Sequence, residues 1–155
     1  MTKETKAYIA GFLDGDGCIM LQLVYRHDYV LGYQIRASVV FYQKQQYRDF
    51  LEWLKHTFGD VGYVRNRNDG MCKYTIVGIA NVKTVLTLLL PYLRLKKRQA
   101  EIVLKVISQM PGQGNKMTKE KLLLLAPEVD RFLELNYSKR RTNTSVKLKN
   151  FLETH

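Results

Sequence analysis

Two cysteines, three histidines and fourteen acidic residues are few for a chain of 155. Cys18 and Cys72 stand alone, which argues against a disulfide framework or a cysteine zinc site and reads as two free thiols in a reducing compartment. His27, His56 and His155 have no ligand spacing, so a histidine metal site is not expected either. The most apolar run, Val85 to Leu90, ends at Pro91 and is far too short to span a bilayer. MTKETKAYIAGF holds no apolar stretch of signal-peptide length. No long basic helix with one clean apolar face is visible, which argues against a membrane-surface role. The expectation is a single intracellular domain over residues 1–155, with no membrane partner, no second domain and no internal repeat.

The shortage of acid matters most. Twenty-five Lys and Arg against fourteen Asp and Glu leave a charge of +11 and a pI near 9.7, above the rough threshold for a nucleic-acid-binding domain. Ten tyrosines add flat amphipathic surface, and 46% hydrophobic residues are enough for a core.

Along the chain, Ala7, Tyr8, Ala10, Gly11 and Phe12 give a helical pattern over residues 4–15, with Thr5 as its N-cap. After DGDG the period changes to two. Ile19, Leu21, Leu23 and Tyr25 fall on one face, and Met20, Gln22, Val24 and Arg26 on the other. Tyr33, Ile35, Ala37, Val39 and Phe41 then alternate with Gln34, Arg36, Ser38, Val40 and Tyr42, predicting an antiparallel pair. A helix is expected over 44–58, closed by Gly59. Strands over 61–67 and 72–77 flank the hairpin signal Asn68-Asp69-Gly70. A helix over 82–90 capped by Asn81 follows, then one over 95–110. The fold class is α+β: an αββαββα core over about 5–110 with a four-stranded antiparallel sheet, plus extra C-terminal helices over 117–153.

An antiparallel sheet commonly gives one face to a core and the other to solvent. The second face carries Gln22, Arg26, Gln34, Arg36, Ser38, Arg65, Arg67, Lys73 and Thr75, with five cations and no carboxylate. Such side chains read base edges in the major groove and neutralise phosphates. Ser138, Lys139, Arg140, Arg141, Thr142 and Thr144 form a cation and hydroxyl cluster suited to backbone contacts that position without specifying.

One short stretch, IAGFLDGDG at residues 9–17, stands apart from this pattern. Gly11 and Gly15 share one helix face and admit a close backbone approach. Asp14 and Asp16 lie at the negative end of the helix dipole, where carboxylates are unfavourable unless a cation compensates. An acidic turn after a buried helix would also explain DGDG.

IAGFLDGDG resembles the signature of the LAGLIDADG homing endonucleases, and YQIRASVVFYQK, VGYVRNR and LLPYLRLKKRQAEIVLKVI resemble later segments of its single-motif algal organelle members. The resemblance implies a homodimer paired through Tyr8, Gly11, Phe12 and Gly15. It implies a metal-dependent enzyme, with Mg²⁺ or substituting Mn²⁺, that cuts both strands of a long pseudo-palindromic DNA site and leaves short 3′ overhangs. An organelle, chloroplast or mitochondrion, is the implied setting. Asp16 matches the metal carboxylate, Gly15 the metal-facing carbonyl, Gln43 a water-ordering glutamine and Lys96 the lysine near the scissile phosphate. Asp14 matches a position tied to capping and helix pairing. Where relatives carry a base shortly after the glutamine, this chain has Tyr47 and then Arg48; either Arg48 takes that role or Lys96 and Lys44 suffice. The DNA-facing set implied is Met20, Gln22, Val24, Arg26, Gln34, Arg36, Ser38, Val40, Arg65, Arg67, Lys73 and Thr75, to which alternation adds Tyr42. A non-cutting maturase or DNA-binding regulator on the same fold is the competing reading.

Overall fold

The computed structural model describes residues 1–112, 114–136 and 143–155. Helix α1 (Lys3–Asp16) leads into strands β1 (Gly17–Tyr25) and β2 (Tyr33–Lys44). A 3₁₀ turn (Gln45–Tyr47) opens α2 (Arg48–Thr57). Strands β3 (Tyr63–Asn66) and β4 (Met71–Val77) precede α3 (Ile79–Leu89), a second 3₁₀ turn (Leu90–Tyr92) and α4 (Lys97–Ser108). Helices α5 (Lys119–Glu134) and α6 (Ser145–Thr154) complete the described chain. The α+β order αββαββα with further C-terminal helices is therefore present. The sheet runs β1-β2-β4-β3, and β4 pairs antiparallel with both β2 and β3.

The chain forms two compact units, residues 1–20 with 37–101, and residues 21–36 with 102–155. In the first, the inward-alternating Ile19, Val39, Phe41, Tyr74 and Ile76 are fully buried, as are Ile9 and Leu13 of α1, Leu51 and Leu54 of α2, and Leu86 and Leu89 of α3. Phe41 is central: Phe12 stacks on it at 6.0 Å and Tyr74 at 6.0 Å. The Tyr74 hydroxyl donates to the Val61 carbonyl at 2.7 Å, and burial pushes its pKa well up, so it stays a donor. In the second unit, Leu122, Leu125, Val129 and Phe132 of α5 and Leu148 of α6 are buried. Asp130 accepts from the backbone N–H of Ser145 at 3.1 Å and from its hydroxyl. Tyr25 was expected inward but is 48% exposed, because its place at the strand end leaves it covered on one side by the rings of Tyr33 and Phe151.

Several expected boundaries move, and three of the shifts have a local reason within these elements. Thr2, not Thr5, caps α1: its hydroxyl accepts from the Thr5 N–H at 3.1 Å. The expected helix over 44–58 begins as a 3₁₀ turn. There the Gln45 N–H donates to the Gly70 carbonyl and its side-chain amide to the Arg67 carbonyl, tying the turn to the β3–β4 hairpin. Asn81 does not cap α3, which starts at Ile79 after Gly78; the Asn81 amide donates back to the Val77 carbonyl at 3.3 Å.

Gly62 is the tightest backbone position of the first unit. Its φ is +78°, and a Cβ there would stand 2.2 Å from the Thr75 carbonyl oxygen. Gly62→Ala should destabilise the fold by about 2–4 kcal/mol from left-handed strain plus the clash. Urea denaturation would show a lower midpoint; an unchanged one would contradict this packing.

Candidate active site and nucleic-acid interface

The end of α1 is built by side chains more than eighty residues apart in sequence. Asp14 accepts from the backbone N–H of Arg94 at 2.8 Å and of Lys96 at 3.0 Å. In return the Lys96 ammonium donates to the Asp14 carbonyl at 2.6 Å. A cation on one of the last carbonyls of a helix compensates its negative end. The segment held this way is not helical, which is why α4 starts at Lys97 rather than Leu95. Gly17 follows at once as the first residue of β1, and its N–H donates to the Leu13 carbonyl. A Cβ on Gly17 would stand 2.9 Å from the Leu13 carbonyl oxygen as well as 2.5 Å from Leu13 Cδ1, so any other residue would force this helix-to-strand junction to shift.

These contacts sort the two aspartates. Asp14 is half-buried and committed to the 94–96 backbone. Asp16 is exposed and has no hydrogen bond or ion pair among the described residues. The carbonyls of Leu13 and Asp14 are taken by Gly17 and Lys96, and Gly15 lies exposed between the two aspartates. A carboxylate and a carbonyl are hard oxygen donors of the kind Mg²⁺ prefers. Among the described residues no group of three or more His, Cys, Asp or Glu forms a metal cage. A single carboxylate and carbonyl are by themselves too few donors to hold such a cation.

Gly11 and Gly15 are exposed, and a Cβ on either would meet nothing within 4 Å. Nothing inside the described chain requires glycine at either position. Ala7 and Tyr8 share their exposed face, opposite buried Ile9, Ala10 and Leu13. Tyr8 packs edge-on against Phe50 at 6.2 Å and Trp53 at 6.3 Å. Phe12 is half-buried and turned to Phe41 and Phe50.

The other expected site residues have varied surroundings. Gln43 is half-buried on β2 opposite Cys72, its carbonyl oxygen accepting from the Lys44 N–H at 3.0 Å. Arg48 is engaged three ways: its Nη1 donates to Asn66 at 2.8 Å, its Nη2 to the Val64 carbonyl at 3.2 Å, and Glu52 lies 3.3 Å away. It clamps α2 to the edge strand β3. Tyr47 beside it is 51% exposed. Burial pushes the Cys18 thiol up, partly offset by the Lys96 ammonium. Burial also raises the Tyr42 hydroxyl, with the neighbouring Cys18 adding to the rise and Arg67 opposing it.

On the outward face, Gln22, Arg26, Gln34 and Arg36 of the second unit are exposed. In the first unit Arg65 and Arg67 are exposed, and Met20, Tyr42 and Lys73 half-buried; in the second, Val24 is half-buried. Three expected solvent-facing residues are not: Ser38, Val40 and Thr75 are buried at 5, 3 and 6% exposure. Val40 and Thr75 face each other across the inner strands β2 and β4, where short side chains are flanked on both sides. Alternation gives the face but not the height of the neighbours. Thr144 caps α6, its hydroxyl accepting from the Lys147 N–H; Ser138, Lys139, Arg140, Arg141 and Thr142 lie outside the described residues. The signal for the Arg48 clamp, a cation one residue off the expected position, was in the sequence; its partners on β3 were not. No described helix is long and apolar enough to cross a membrane.

Comparison with known proteins agrees with this arrangement. The LAGLIDADG endonuclease family model matches residues 9–107. DNA endonuclease I-CvuI of Chlorella vulgaris is 42% identical over 123 residues, 79% of this chain and 76% of that protein. DNA endonuclease I-CreI of Chlamydomonas reinhardtii is 38% identical over 152 residues, 98% of this chain and 91% of that one. A crystal structure of I-CvuI with the I-CreI target in 2 mM Mg, its DNA uncleaved, matches at TM-score 0.90 and 36% identity, covering 98% of this chain and 94% of that chain. With the motif, the sheet order and these matches along nearly its whole length, the chain belongs to the LAGLIDADG endonuclease family.

Proposed function

We propose that two copies of this chain form a site-specific homing endonuclease that makes a double-strand break in a long pseudo-palindromic DNA target. The observation that carries the reading is the unpartnered Asp16, exposed at the end of α1 while Asp14 and Lys96 at the same end are engaged. The exposed glycine face of α1 supports pairing with a second copy, which brings a second Asp16 to the same place. The basic outward residues, Arg26, Arg36, Arg65, Arg67 and Lys73 with Gln22 and Gln34, support contact with duplex DNA. I-CvuI, a relative along most of this chain, is seen bound to DNA targets with Mg or Ca present, which supports the same partner here. The two curated relatives come from Chlorella vulgaris and Chlamydomonas reinhardtii, which supports a chloroplast or mitochondrial setting.

The work divides among the residues as follows. Asp16 and the Gly15 carbonyl would hold the cation, completed by donors from the partner copy and the scissile phosphates. The chemistry supplied by bound Mg²⁺, or Mn²⁺ on the same hard donors, is water activation and stabilisation of charge on attacking and leaving oxygens. Gln43 orients the attacking water by hydrogen bonding. Lys96, held at the α1 terminus by Asp14, keeps a positive charge beside the reacting phosphate. Because the Arg48 charge is paired with Glu52 while the Lys96 ammonium meets only a neutral carbonyl and keeps two further donors, Lys96 is assigned the basic role.

Asp16→Asn should abolish cutting of a randomised duplex library in Mg²⁺ while leaving binding intact; cutting at the wild-type rate would sink the assignment. Gly11→Leu should leave the monomer's fold intact or improve it by about 0.5–1 kcal/mol, since leucine is the better helix former. The same substitution should shift sedimentation to the monomer and stop cutting. A fully dimeric, active Gly11→Leu protein would contradict pairing through α1.

A further inference from the structure

The two β-hairpin turns carry the same device, each within one unit. Arg26 is the first residue after β1, its N–H closing the loop on the Gly32 carbonyl at 2.9 Å. Arg67 is the first residue after β3, its N–H closing the turn on the Met71 carbonyl at 2.7 Å. Each guanidinium meets the aspartate two residues on. Arg26 is forked on Asp28, Nε to Oδ1 at 3.0 Å and Nη2 to Oδ2 at 2.8 Å. Arg67 Nη2 lies 3.1 Å from Asp69 Oδ2. Each also lies over a tyrosine ring, Tyr29 at 5.3 Å and Tyr42 at 5.9 Å. Tyr29 in turn accepts from Arg36 through its hydroxyl at 3.1 Å.

Neither stability nor bulk affinity accounts for the pairs. Both are about half-exposed, and exposed ion pairs contribute little to folding. Each carboxylate also cancels a cation on a surface that binds phosphate, which weakens sequence-independent attraction. What a carboxylate on one side and a ring below do accomplish is to fix the plane of a side chain that otherwise rotates freely. Among the described residues no acceptor meets Nη1 of either arginine. A fixed guanidinium with donors left over matches the paired O6 and N7 acceptors of guanine in the major groove. Holding it in place beforehand lowers the ordering cost at binding.

We propose that Asp28 and Asp69 are positioning residues for base recognition: each holds its arginine, Arg26 or Arg67, ready to read a guanine of the target. The proposal rests on the reading of the chain as a DNA-binding endonuclease. It predicts opposite signs for two quantities, because Asp→Asn adds a net positive charge while freeing the arginine. Duplexes bound from a randomised library in Ca²⁺ would be recovered and sequenced for wild type, Asp28→Asn and Asp69→Asn, alongside affinity for unselected DNA and thermal midpoints. The expected result is a loss of guanine preference by roughly tenfold at one half-site position for Asp28→Asn and at a different one for Asp69→Asn, a drop within the range of a bidentate guanine contact. Affinity for unselected DNA should hold or rise, and thermal midpoints should stay put. Unchanged guanine preference with tighter general binding would overturn the proposal, leaving the aspartates as charge neutralisers. So would a loss confined to cytosine positions, which would make them direct readers, or a uniform loss with a lowered midpoint, which would make them structural. If wild type selects no sequence at all, the endonuclease reading itself fails as well.

Discussion

The Asp14 carboxylate, accepting the backbone N–H groups of Arg94 and Lys96, is the contact on which the candidate site depends. It ties the end of α1 to the stretch before α4 and aims the Lys96 ammonium at the last free turn of the helix. A carboxylate at the negative end of a helix is electrostatically misplaced, and a lysine on the Asp14 carbonyl answers that cost. Because Asp14 absorbs the local donors, Asp16 two residues on is left without any. The two aspartates of one motif thus divide, one engaged in the fold and one left free, as the proposed cation site requires.

The same motif sets the limits of a single chain. Its glycines are exposed with open space around them, and its one free carboxylate falls short of a coordination sphere. In the proposed dimer both shortfalls are met by a second copy approaching α1, which would make helix pairing and catalysis one requirement rather than two. The proposed DNA recognition is spread differently, along strands whose outward positions are charged and amide-bearing. There the aspartates at the hairpin turns trade general attraction for orientation.

Much of this was legible in the sequence because it is local and periodic. The change from helical to alternating period at Gly17 gives the α1–β1 junction, and the inward set Ile19, Val39, Phe41 and Ile76 is buried as alternation requires. What was not legible depends on distant or neighbouring groups. The partners of Asp14 lie some eighty residues away, and those of Arg48 are on β3. Alternation assigned Ser38, Val40 and Thr75 to the open face but could not see that short side chains on inner strands sink below their neighbours. It also credited the open face with no carboxylate, since Asp28 and Asp69 sit in turns rather than at strand positions.

The most direct test of this division of labour is carboxyl NMR of protein carrying ¹³C-labelled aspartate, titrated with Mg²⁺ in the presence of bound DNA. A saturable shift of the Asp16 carboxyl resonance is expected, while that of Asp14 stays fixed on its backbone partners. A shift of Asp14 with Asp16 unmoved would contradict this division and place the metal on the other aspartate.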